Sequence, residues 1–432
     1  SSLNEEGIGA EKINELMQSI LKGDDKVKNI HSVLLAKNGK LVLEEYFYGT
    51  HRNHIHHLQS DTKSVISILI GVAVDKSLIK NVKQPILDFF PEITPANFDG
   101  EKRKITIEHL LMMAPGLECR DSYRYRWQGL YEMRRSSDWT QFMLDLPMAE
   151  MPGTRFEYCN GASFLLSAII QKAAGMNALE FAKKHLFNPL GIDHFNWPPN
   201  PQGITIGWAD LQLRPRDMAK IGQMMLKGGR WRGKQIISQN WVNQSTRAYI
   251  KAGGYDYGYQ WWRGKTIANN QVIDAFWAWG HGGQFIIVLP ELDSVVVLTA
   301  KHLDNPGYSK RAFGMLTQHI MPALIPHSQR ETPAMLDREV MDAYVGKYEF
   351  KSDREHIFVE VMRVGNKLFG KSDDEEKVEL FPETESQFYG TSQEIGGFKL
   401  KFVKDQMGDI NQFILHCAPR FAFMRIPFDK IK

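Results

Sequence analysis

The sequence predicts a mixed α/β (α+β) protein in two parts: an antiparallel sheet flanked by helices with an all-α inset, then a small all-β barrel-like domain. Three patterns carry that expectation. SVLLAKNGKLVLEEYFY (32–48) reads as two strands about Asn38-Gly39, a pair suited to the left-handed backbone of a tight hairpin. Residues 64–74, SVISILIGVAV, are apolar on every side, the mark of a helix buried all round in a large domain. From about 336 onward, short alternating runs separated by turn residues replace helical periodicity.

In chain order, AEKINELMQSILK (10–22) is an amphipathic helix, followed by the hairpin and the buried helix. From about 92 to 260 the segments are mainly helical, punctuated by Pro152-Gly153, Pro189 to Gly191 and Gly228-Gly229; this is the α inset. FIIVLP and SVVVLTA, spanning 285 to 300 and broken at Pro290-Glu291, form a second hairpin that closes the sheet. A cleft between sheet and inset is where a ligand site belongs. PALIPHSQRETPAM (322–335) has three prolines and no periodicity. It sets the expected boundaries: a first domain over 1–325, a linker over 326–335, and a second domain over 336–432 that opens on a short helix.

Composition narrows the function. At 432 residues and 43% hydrophobic, the chain can bury two sizeable cores. Its formal net charge is +3 with the signs interspersed, so no field for nucleic acid or a membrane surface is expected. No apolar run reaches the ~18 residues of a membrane span, and no signal peptide is evident after Ser1. Cys119, Cys159 and Cys417 are too few and too scattered for a disulfide framework or a zinc site, so Cys159 reads as a small hydrophobe beneath the site. His51, His54, His56 and His57 match no usual zinc spacing, and no phosphate or dinucleotide fingerprint occurs. Neither metal nor cofactor is expected.

The chemistry lies in three short motifs. Ser60-Asp61-Thr62-Lys63 opens the all-apolar helix, and residues three apart share a helix face. A lysine there is poorly hydrated, which lowers its pKa and lets it accept or relay a hydroxyl proton. Tyr158-Cys159-Asn160 leads into a second apolar helix, and His281-Gly282-Gly283 precedes a strand whose glycines admit a close approach.

Taken in this order, the motifs resemble the serine β-lactamase and penicillin-binding-protein superfamily, within its class C-like branch of esterases, D-amino-acid peptidases and short-oligoamide hydrolases. The resemblance covers roughly residues 10 to 325. It is supported by ITIEHLLMMAPGL (105–117), NPLGI (188–192), LRPRDMAKIGQMMLKGGRWRGKQIIS (213–238) and YGYQWW (257–262). The last part is similar to the lipocalin-like module that follows the hydrolase domain in some members. A periplasmic or secreted setting is implied by the resemblance alone.

Acyl transfer needs a nucleophile, a base, an oxyanion hole and a proton donor for the leaving group. Ser60 is the expected nucleophile and Lys63 its base. Tyr158, whose hydroxyl a lysine cation draws toward phenolate, fits the acid/base role that the resemblance also implies. Asn160 is expected to bond Lys63 and substrate, and the N–H groups of Ser60 and Gln284 to receive the oxyanion. His281 replaces the lysine of the K-T-G motif and is a weaker, pH-dependent cation, or a structural donor. That change favours a small ester or amide over β-lactams and cell-wall peptides. Two classes follow: a hydrolase that turns over, or an acylated sensor that does not. Tyr123 to Trp127, with Tyr255, Tyr257, Tyr259, Trp261 and Trp262, are candidates either to roof the pocket or to pack in the core.

Overall fold

The computed structural model describes residues 2–23, 27, 29–121, 125–268, 271–301, 316–325, 336–351, 356–372, 377–382, 384–392, 396–405, 407–417 and 424–431. The expected linker over 326–335 lies outside the described residues, as do Tyr123 and Arg124 of the aromatic stretch.

An eight-stranded antiparallel sheet forms the first part. Its order across is Lys40–Tyr46, Ile30–Lys37, Ser294–Ala300, Gln284–Leu289, Gln271–Gly280, Trp262–Ala268, Tyr255–Tyr257 and Ile250–Ala252. Ser294–Ala300 and Gln284–Leu289, third and fourth across, are buried along their whole length, which explains why they read as continuous apolar runs rather than alternating ones. Alternate side chains feed two cores. Phe285, Ile287, Val296 and Leu298 face helix Ala10–Lys22, whose buried stripe is Ile13, Leu16 and Ile20. Ile286, Val288, Val295 and Val297 face the helical inset. Helix Pro215–Leu226 presses on that second face so closely that a Cβ at Gly222 would overlap Val295.

Helix Asp61–Asp75 lies at the centre of the inset core, against helix Asn160–Ala174. Its side chains Val65, Ile66, Ile68, Leu69, Ile70 and Val72 are at most 1% exposed. Each such burial is worth about 1.5–3 kcal/mol. Together they outweigh the several kcal/mol that each buried ionisable group in the first turn costs. Gly71 lets the indole of Trp241 lie directly on this helix, where any Cβ would enter the ring.

The second part is a closed barrel of eight antiparallel strands, from Gly346–Lys351 to Met424–Ile431, which pair with each other to complete it. Helix Arg338–Tyr344 leads into it. Its interior is packed with aromatic rings: Tyr344, Tyr348, Phe388, Phe402, Phe413 and Phe428 are all 2% exposed or less and touch in sequence. Barrel strand Gly396–Lys404 lies against sheet strand Trp262–Ala268.

One sequence expectation changes here, and an alternative left open is resolved. Cys119 and Cys159 are joined in a disulfide with Cα atoms 5.6 Å apart, so Cys159 is not merely a small hydrophobe. Forty residues separate the pair, and spacing alone carries no sign that the fold returns there. Of the candidate roof aromatics, Tyr257, Tyr259 and Trp261 are core residues, at most 2% exposed, with Tyr259 donating to Glu108 and stacking on Tyr249.

Candidate active site

Ser60 stands at the N-terminus of helix Asp61–Asp75, at the end of a stretch held from several directions. Strand His56–His57 pairs with Gln212–Leu213, and Leu58 N–H donates to the Leu211 carbonyl. Gln59 has a left-handed backbone, φ 51°, a costly conformation for a non-glycine residue that persists where its surroundings over-determine it. Its N–H donates to Nδ1 of His57, which leaves His57 Nε2 to bond Asp210 at 3.0 Å. The Ser60 backbone N–H donates to none of the described residues.

The first two motifs meet at Ser60 Oγ. Lys63 Nζ lies 3.0 Å away and the Tyr158 hydroxyl 2.8 Å away. Ser60 and Tyr158 are half-buried, whereas Lys63 is 2% and Asn160 4% exposed, so the lysine is sealed more deeply than either hydroxyl-bearing residue. Lys63 also donates to Asn160 Oδ1 at 2.9 Å and to the Trp208 carbonyl at 2.8 Å. Both partners only accept, which fixes two of the three Nζ positions as N–H bonds. The third points at Ser60 and is a lone pair whenever the amine is neutral. Burial brings the Lys63 pKa down to about 7, against the opposing pull of Asp121, Asp61 and Asp210. The amine therefore changes protonation near neutrality. Nζ also lies 4.9 Å from the centre of the Tyr158 ring.

His281, Gly282 and Gly283 form the turn between strands Gln271–Gly280 and Gln284–Leu289. Gly282 and Gly283 have φ of 81° and 98°, which side chains rarely tolerate. At Gly280 a Cβ would overlap the Leu58 carbonyl oxygen, so the strand end abuts the segment leading to Ser60. Gln284 is the cross-strand partner of Gly280. The Gln284 side chain is 1% exposed and anchors the neighbouring strand, donating to the Ala300 carbonyl and accepting from the Ala300 N–H.

Four contributors went unseen in the sequence. Asp121, 2% exposed, accepts the Asn160 N–H at 2.7 Å through Oδ2. The Trp208 carbonyl comes from a segment with no motif. The disulfide ties Cys119 to the centre of Tyr158-Cys159-Asn160. Gln260, buried with φ 60°, joins the two central helices by accepting from Ser64 at its carbonyl and from Ser163 at its side chain. Only Asp121 offered a cue, an acid two residues past a cysteine, and nothing linked it to Asn160.

The remaining candidates are dispersed. His51 packs edge-on against His54, while His56 meets His31 at 3.0 Å and is pushed down to about 4 by burial. No group of three or more His, Cys, Asp or Glu among the described residues is arranged to hold a metal. Trp127, with φ 60°, sets its ring edge-on to Tyr158 with centroids 6.3 Å apart. No described helix is long and apolar enough to cross a membrane.

Comparison with known proteins places the chain in a family. The beta-lactamase family profile matches residues 31–317. The 6-aminohexanoate-dimer hydrolase of Paenarthrobacter ureafaciens is 24% identical over 287 residues, covering 61% of this chain and 70% of that protein. The lovastatin esterase of Penicillium rubens is 23% identical over 218 residues, covering 49% of this chain and 51% of the esterase. The octameric penicillin-binding protein homologue from Pyrococcus abyssi superimposes with a TM-score of 0.55 at 18% identity, over 98% of this chain and 99% of that one, so its fold likeness extends through the C-terminal barrel. The chain belongs to the beta-lactamase family, whose relatives here include hydrolases of amides and esters.

Proposed function

We propose that the protein is a serine hydrolase that cleaves a small ester or amide through an acyl-enzyme on Ser60, with esters the favoured class. The observation that carries this reading is the arrangement around Lys63 Nζ: two N–H bonds are fixed by pure acceptors and the third position faces Ser60 Oγ. Neutral Lys63 takes the Ser60 proton as Oγ bonds to the substrate carbonyl carbon. The oxyanion is received by the backbone N–H groups of Ser60 and Gln284, where losing one donor typically costs ~3 kcal/mol. Tyr158 gives its proton to the leaving group as the carbonyl–leaving-group bond breaks, then recovers one from the water that attacks the acyl-enzyme. As the Oγ–acyl bond then breaks, Lys63 returns its proton to Ser60 Oγ, which restores all three groups.

Ester preference rests on His281, which the motif resemblance sets against the lysine that holds the substrate carboxylate in β-lactam and cell-wall peptide enzymes. A lovastatin esterase among the relatives is consistent with it. The proposed division is a hydrolase domain over 1–325, a linker over 326–335 and a barrel domain over 336–432. Every proposed catalytic residue lies in the first.

A fluorophosphonate probe tests the assignment. It is expected to add one adduct on the peptide containing Ser60, absent in Ser60→Ala. A p-nitrophenyl acyl ester should then give a linear steady state. A burst with no steady state identifies an acylated sensor instead, and labelling at another serine overturns the proposal.

A further inference from the structure

Three carboxylates surround the Lys63 amine, and they are not equivalent. Asp61 lies on the same helix and is fully buried, and burial pushes its carboxyl well above the ordinary range. The Asp210 side chain is 34% exposed and engaged by His57. Asp121 is 2% exposed, and its pKa is pushed up only to about 6, because the backbone N–H groups of Asn160 and Leu130 and the Lys63 charge offset its burial. It is also sealed from solvent and bonded to Asn160, a residue that itself touches the Lys63 amine.

Its placement is tightly determined. Oδ2 accepts the N–H of Asn160, the first residue of helix Asn160–Ala174, where a carboxylate complements the helix dipole. The same Asn160 presents Oδ1 to Lys63 Nζ. Two residues before Asp121, Cys119 is bonded to Cys159, beside Asn160. Helix Gln128–Arg135 closes the other side, where a Cβ at Gly129 would overlap the Cys119 carbonyl oxygen.

We propose that Asp121 is a positioning residue for acyl transfer, acting on the Lys63 amine through Asn160 and through its own negative charge. The inference rests on Ser60 and Lys63 being nucleophile and base. Asp121 holds Asn160 so that its amide oxygen fixes one Lys63 N–H and leaves the third position aimed at Ser60. Its charge favours the ammonium form, so it keeps Lys63 basic enough to take the serine proton despite complete burial. The charged groups facing Lys63 are Asp61 on its own helix, Asp121 and Asp210; the Tyr158 ring lies alongside.

The test reads Lys63 directly. Protein labelled with 13C at the lysine ε-carbon is titrated by NMR, and the Lys63 signal is the one lost in Lys63→Met. The wild type should titrate near 7. Asp121→Asn keeps an oxygen to accept the Asn160 N–H and removes the charge, together with the second acceptor that faces the Leu130 N–H. The Lys63 midpoint should then fall by about one pH unit or more, the usual effect of an opposite charge at close range. The acid limb of kcat/KM should move down with it. A purely structural Asp121 leaves the midpoint in place while the melting temperature falls, and an unmoved midpoint in the folded Asn variant overturns the proposal. Asp121→Ser, smaller and also uncharged, gives the same reading where the Asn variant does not fold. Because the titration needs no turnover, failure of Ser60 labelling overturns the acyl-enzyme reading separately, whatever the lysine midpoint does.

Discussion

Cys159, midway between the Tyr158 hydroxyl and the Asn160 amide that converge on Ser60 and Lys63, is bonded covalently to Cys119. The disulfide therefore anchors the turn that presents both groups. Both cysteines are 3% exposed or less, so substitution tests the link more cleanly than added reductant.

Cys119→Ser is expected to lower stability by roughly 4 kcal/mol on the loop-entropy account for a loop of this length. It should also lower kcat on an activated ester, because Tyr158 and Asn160 gain freedom. Melting temperature and kcat, measured together below the variant's melting range, check both. Lost stability with unchanged kcat shows that the link holds the fold and not the catalytic geometry.

Lys63 sets the pH dependence. Its folded pKa, about 7, is below its ordinary value of 10.5. As the proposed base it must be neutral, so kcat/KM should rise with pH through a limb near 7. Stability follows the same sign: between about 7 and 10.5 the unfolded chain holds a proton that the folded chain has released, so stability rises with pH across that window. Below 7 the cost of the buried cation is present in full. Melting temperature against pH should show this slope, and Lys63→Met should flatten it. An unchanged slope in the variant removes Lys63 as its source.

Much of this was legible because chemistry and local structure coincide. Asn38-Gly39 turns the first hairpin, the all-apolar run from Ser64 is the buried helix, and the runs flanking Pro290-Glu291 pair as antiparallel neighbours. Ser60 and Lys63 share a helix face by spacing, so their contact needed no tertiary information. What escaped depends on long-range return of the chain. Asp121 reaches Asn160 from 39 residues away, Lys63 meets the Trp208 carbonyl across 145, and Cys119 finds Cys159 across 40. A backbone carbonyl carries no side-chain signature at all, and Gln260 looks like an ordinary polar residue until its left-handed backbone is seen to join two helices. The aromatic residues of 255–262 stayed ambiguous in the sequence because a large ring suits a pocket wall and a core equally, and only packing separates the two.

The barrel supplies none of the proposed catalytic groups, yet its strand Gly396–Lys404 lies against Trp262–Ala268 of the sheet. A chain ending at Ile325 is expected to fold and retain ester hydrolysis, with a lower melting temperature because that sheet face becomes exposed. Its kcat should stay within about threefold of the full chain, since Ser60, Lys63 and Tyr158 are assembled by the sheet and inset alone. A soluble, folded but inactive product shows that the barrel completes the site, and an insoluble one that it completes the fold.

Tyr158 separates the proposed mechanism from one in which Lys63 alone moves protons. The hydroxyl is 2.8 Å from Ser60 Oγ, and the ring lies alongside the Lys63 amine and edge-on to Trp127. Tyr158→Phe keeps both ring contacts and removes only the hydroxyl. Packing and stability should change little, while kcat should fall by the ~100-fold or more typical of a lost acid/base group. The loss should depend on the leaving group: p-nitrophenolate departs without a proton, whereas an alkyl alcohol or an amine needs one. The variant should therefore be impaired most on alkyl esters and amides and least in acylation by p-nitrophenyl esters. Equal losses on all substrates place Tyr158 in activating Ser60 or the hydrolytic water rather than in protonating the leaving group. Near-wild-type turnover throughout removes it from the chemistry and leaves Lys63 as the sole base.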